Sequence, residues 1–206
     1  MPAPQKPRVL RQTVKPVPSP VFTIGHSTRP VKDFIALLRA HGVRRVIDVR
    51  TVPRSRHNPQ FDRAALGRSL HRARIHYTHL AALGGLRHAR KDSVNAGWRN
   101  ASFRGFADYM QTPPFDEGLQ RLMELAAGES CVIMCAEAVP WRCHRSLIAD
   151  ALTVRKIEVR HITSRTRAQA HQLTSFAQVE GKSITYPGAE SSAAASACHS
   201  SLVTHH

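Results

Sequence analysis

The stretch "MCAEAVPWRCHR", residues 134–145, places two thiols, a carboxylate, an imidazole and two guanidinium groups within twelve positions, at the end of an apolar run that reads as a strand. Cys135, Cys143 and His144 are residue types that hold a zinc-like ion, with His26 or Asp48 available to complete a tetrahedron. Their spacing matches no standard zinc finger or ribbon. The same residues suit thiol chemistry. Cys143 stands where a helix should begin, beside His144 and Arg145, and such surroundings lower a thiol pKa. A third reading is packing, with small cysteines filling a strand–helix junction. The residues alone leave all three open and assign no cofactor. Glu137 is costly to bury unpaired at the end of an apolar strand. It should therefore pair with Arg50, Arg145 or His26, or face a cleft as a general acid or base.

Two more clusters carry similar chemistry. "GHS" (25–27) offers a glycine for close backbone approach, the titratable His26 and the Ser27 hydroxyl near a helix N-terminus, a setting that favours anions. "DVR" (48–50) puts Asp48 and Arg50 on one face of a strand, because side chains alternate, and Ser55 follows in a proline-broken loop. Arginine forks match phosphate oxygens, which makes Arg50 and Arg145 the expected anion clamps. The expected catalytic set is His26, Glu137, Cys143 and His144. The expected substrate-binding set is Ser27, Asp48, Arg50, Ser55 and Arg145. Any metal would sit on Cys135, Cys143 and His144.

The elements that must position these groups follow from the hydrophobic pattern. A short strand at 21–27, a helix with apolar residues Val31, Phe34, Ile35, Leu37 and Leu38, and a strand at 43–50 form a β-α-β unit, which implies parallel strands. A helix at 61–73 and a strand at 74–80 come next. A long connection (81–100) with few structural signals is expected to be functional or mobile. Two helices flank Pro113 and Pro114. The apolar run 130–137 is a strand buried on both faces, and a helix (143–154) and a last strand (156–163) close the pattern. This is an α/β fold of three layers, with about five mainly parallel strands and helices on both faces. In such sheets ligands lie beyond the carboxyl ends of the strands, and all the polar clusters fall on that edge. The expected organisation is a basic, Pro-rich flexible arm (1–20), one α/β domain (21–163) and a mostly disordered polar tail (164–206).

The net charge of +16 also bears on partners. Between Val21 and His161, 23 Lys and Arg face 12 Asp and Glu, so most of the excess belongs to the folded part. Seven arginines and a single acid, Asp62, fall between Arg50 and Arg74, a surface that attracts phosphates. Trp98, Phe103 and Phe106 offer rings on which a base could stack. No apolar run reaches membrane-spanning length, and four cysteines without a disulfide framework fit a reducing cytoplasm.

Taken in order, "TIGHS", "F..LL..HGV..V.DVR..P.S", "Y.HL..LGG", "FRGFADYM" and "CAE.....CHR" resemble the domain of unknown function 488 family, from about Phe22 to Ile162. The resemblance implies a compact α/β domain with one shared cleft and names no substrate. Its hallmark positions correspond to Gly25, His26, Ser27, Asp48, Arg50, Pro53, Ser55, Gly84, Gly85, Cys135, Glu137, Cys143, His144 and Arg145. The combined expectation is an enzyme with an anion-binding cleft for a phosphate-bearing small molecule or nucleic acid. The alternative is a non-catalytic nucleic-acid-binding module that uses the Arg50–Arg74 surface. No membrane partner is expected.

Overall fold

The computed structural model describes residues 19–188. The basic arm lies outside them except for its last two residues, as does the tail from 189 onward. Strand β1 (Val21–Gly25) leads through α1 (Val31–Ala40) to β2 (Arg45–Asp48), then through α2 (Arg63–Arg72) to β3 (His76–His79). Helices α3 (Ala101–Tyr109) and α4 (Pro113–Gly128) precede β4 (Cys131–Cys135), and α5 (Arg145–Val154) connects it to β5 (Val159–Ile162). Local chemistry sets several boundaries. Gly42 (φ 66°) takes the left-handed position just past α1. The Asn100 side chain accepts from Ser102 N to cap α3, and Pro113 and Pro114 open α4.

The five strands pair in parallel in the order β3-β2-β4-β1-β5. The fold is thus the expected α/β type, and a sixth strand, β6 (Ala168–Ala170), adds antiparallel to β5. Strand alternation separates two cores. Val21, Ile47, Ile133 and Val159 face Phe106, Leu119, Leu122, Leu147 and Leu152 of α3–α5. Phe22, Ile24, Val46, Val132 and Met134 face Phe34, Leu38, Leu66 and Leu70 of α1 and α2. Each such Leu or Phe, fully buried, contributes about 1.5–3 kcal/mol, so both helix layers are firmly attached to the sheet. Among the described residues no helix is long and apolar enough to cross a membrane.

The expectation of a mostly disordered tail from 164 is corrected over 164–188. Besides β6, this stretch forms a hairpin of β7 (Gln178–Glu180) and β8 (Ser183–Thr185), turning at Gly181 (φ 60°). Ile184 and Tyr186 are buried, and the Tyr186 hydroxyl donates to Asp150 of α5 at 2.8 Å. Two apolar anchors in a polar stretch are too few to register as a composition signal, yet they fix its path. The connection 81–100 is pinned rather than loose. Buried Asp108 accepts from Arg90 N, the Ser93 hydroxyl and the Asn95 amide, and Asn95 in turn accepts from Tyr186 N.

Candidate functional site

Register brings the polar strand ends together. Gly25 is level with Cys135, and Asp48 with Met134, so β1, β2 and β4 end side by side. Above them opens a cavity of about 380 Å³, lined by His26, Arg50, Ser55, Cys135, Glu137, Cys143 and His144 among others. Seven of the expected residues therefore meet in one cleft.

Cys143 is the centre of the floor. Its sulfur lies 3.7 Å from His144 Nδ1 and accepts from Arg145 Nε at 3.3 Å. Cys135 Sγ, Cys143 Sγ and His144 Nδ1 all lie within 4.8 Å of one another. His144 Nε2 donates to the Val49 carbonyl at 3.1 Å, which turns Nδ1 towards the cysteines. The Cys135 thiol, followed by His144 and Arg145, holds Cys143 well below the ordinary thiol range against the opposing effect of burial. The shared proton and burial push Cys135 up correspondingly. Cys131, at the far end of β4, is pushed up to about 12 by burial and donates to the Leu125 carbonyl.

Three expected residues lie outside the cavity, and one inside it, His26, is engaged otherwise than expected. Asp48 is fully buried beneath the floor, where it accepts from Arg50 Nε and Nη2 and from the Tyr77 hydroxyl. It positions Arg50 rather than touching a ligand. Ser27 has a positive φ of 50°, and its carbonyl accepts from His26 Nδ1 at 2.8 Å, so backbone rather than hydroxyl is its contribution here. Arg145 is only 1% exposed. Besides Cys143 it reaches the Glu137 carbonyl and the Thr23 hydroxyl, so it braces the loop from behind and does not clamp a ligand. Glu137 is exposed on the cavity rim, where its carboxylate accepts from Val139 N; of the two arrangements expected for it, pairing or facing the cleft, it takes the second. His26 stacks on Phe61 at 4.1 Å, and burial lowers its pKa to about 4. With Nδ1 donating to Ser27, His26 Nε2 is the acceptor that faces Arg50 Nη1 at 3.3 Å. A neutral, doubly engaged imidazole is a poor proton carrier.

The structure adds groups that the sequence reading had not placed in the site. Exposed Arg54 and Arg142 line the cleft, together with Leu86, Val52 and Phe103. Arg142 sits in plain view within "WRCHR", but nothing in the spacing separates a rim arginine from the buried Arg145 three residues later. Of the three aromatic residues, Phe103 alone lines the cavity. Phe106 is core, and Trp98 packs on Phe103, Phe176 and Tyr186.

Fold and site define an α/β protein with a basic-rimmed cleft at the carboxyl edge of a mostly parallel sheet. The chain belongs to the family described as domain of unknown function DUF488, whose model matches residues 30–152. That range spans "DVR", Gly84–Gly85 and "CAE…CHR", and it begins after His26 and Ser27. No curated protein and no solved structure matches the chain.

Proposed function

We propose that the protein is an enzyme whose cleft accepts a phosphate-bearing substrate of nucleotide or nucleic-acid type. The observation that carries this reading is the makeup of the cavity wall. Arg54 and Arg142 present exposed guanidinium groups on the rim, while Leu86, Val52 and Phe103 supply an apolar flank beside them. Such a wall suits an anionic head and a flat, weakly polar body. The reacting part of the substrate would then rest over Cys143 and His144, with the Glu137 carboxylate at hand to move a proton.

Binding of nucleoside mono- and diphosphates and short oligonucleotides, measured by calorimetry, tests this. A charge-assisted hydrogen bond is worth about 1.5–3 kcal/mol, so Arg142→Ala and Arg54→Ala should each weaken binding about 10- to 100-fold. Glu137→Gln should leave binding intact and abolish turnover. Unchanged affinity in both arginine variants would sink the reading, and unchanged turnover in Glu137→Gln would remove that residue from the mechanism.

One observation favours a second reading, a nucleic-acid-binding module without catalysis. Arg54, Arg56, Arg63 and Arg68 are exposed and form no salt bridge among the described residues. On that reading, affinity for a duplex falls steeply with salt, and Arg56→Ala and Arg68→Ala weaken binding more than Arg142→Ala does.

A further inference from the structure

We propose that Cys135 Sγ, Cys143 Sγ and His144 Nδ1 hold one divalent ion of the zinc class, with a fourth position open to the cleft. Zinc bonds of about 2.3 Å to sulfur and about 2.0 Å to nitrogen set tetrahedral ligands about 3.3–3.8 Å apart. The Cys143–His144 edge is already 3.7 Å, and all three atoms lie within 4.8 Å, so closure on an ion needs shifts of about an ångström or less. The outer contacts are those a metal centre uses. His144 Nε2 is committed to the Val49 carbonyl, which fixes the ring and aims Nδ1 inward, and Arg145 Nε donates to the Cys143 sulfur. Gly85 keeps the approach clear, since a Cβ there would collide with His144 Nδ1. Thiolate and imidazole donors select zinc over magnesium or calcium.

The charges indicate what the open position takes. Two thiolates neutralise a dication, and the buried Arg145 guanidinium has no carboxylate partner among the described residues. The loaded centre therefore keeps a net positive charge and draws an anion to its free position. The ion rests on the cluster alone, whereas the identity of that anion as a phosphate oxygen rests on the function proposed above.

Elemental analysis of the full chain, purified without chelator, should find about one zinc per molecule. Replacing the zinc by cobalt(II) should produce an intense thiolate-to-cobalt absorption band. Cys143→Ser and Cys135→Ser should each lose most of that band, and Cys131→Ser, far from the cluster, should retain it. Wild-type protein that neither retains zinc nor shows the band on cobalt titration overturns the proposal. So does rapid alkylation of Cys143 by iodoacetamide in the presence of saturating zinc, because a bound thiolate is shielded; that result would make the thiol itself the reactive group. The two proposals fail separately. A full cobalt band with no binding of any phosphate compound removes the substrate class and leaves the metal, and the converse removes the metal and leaves the substrate.

Discussion

Arg145 and Asp150 are both buried on α5, and polar side chains, not a salt bridge, connect them. Arg145 donates to the Thr23 hydroxyl, which bonds His161; His161 bonds His171, and His171 bonds the Asp150 carboxylate. Each link puts a polar atom against a partner, which is why so charged a row survives between α5 and the sheet. The imidazoles also make the fold sensitive to acid. Burial lowers both His26 and His161 from 6.5 to about 4. Above pH 6.5 both groups are neutral in the folded and unfolded chain alike, and their contribution to stability is intact. As pH falls through 6.5 the unfolded chain takes up protons first, so stability drops, and the loss is complete once pH passes below about 4. Each imidazole accounts for up to about 3 kcal/mol. The urea midpoint should therefore hold nearly level above about pH 7 and fall steadily between pH 6.5 and 5, with a shallower slope in His26→Gln. A midpoint independent of pH over that interval would refute the assignment.

At the scale of elements, the site depends on how closely the 136–144 loop lies on the end of β1. A Cβ at Gly25 would overlap the backbone of Glu137 and Ala138, while His26 N and Ser27 N donate to the carbonyls of Cys135 and Ala136. Gly25→Ala must push the loop away, and overpacking of this kind costs about 1–3 kcal/mol. Denaturant unfolding should register that loss, and cobalt absorption should weaken because Cys135 and Cys143 flank the displaced segment. Retained stability and an unaltered band would mean that the loop tolerates the shift. The same junction marks where the sequence was legible and where it was not. The ends of β1, β2 and β4 could be read because buried parallel strands are apolar runs that stop abruptly at Gly25, Asp48 and Cys135. The direction of each side chain beyond those ends could not. Ser27 turns through a positive φ, and Arg145 enters the core from the first turn of a helix whose eight buried residues run from Arg145 to Leu152. Type and spacing bring residues to an edge, while loop dihedrals decide which of them face a ligand.

For the whole molecule, the segment after Thr163 is part of the fold because it supplies the donors that Asp150 needs. That carboxylate has no solvent exposure and accepts from His171 Nε2, Thr174 N, the Thr174 hydroxyl and the Tyr186 hydroxyl, all from beyond the last parallel strand. Tyr186→Phe should cost about 1–3 kcal/mol in thermal or urea unfolding, and a chain ending at Thr163 should lose its cooperative transition. An unaltered transition in the shortened chain would show that the domain ends there after all. The strand order has a consequence in time as well as in space. β1 emerges from the ribosome first, yet its two neighbours are β4 and β5, and Phe22 pairs with Val132 and Arg160. At about 5–20 residues per second, some 5–20 seconds pass before even the nearer neighbour has been made. Meanwhile β2 and β3 can already pair with each other, and β1, the first of the described strands, waits with both flanks open, a nascent segment suited to the grip of a chaperone.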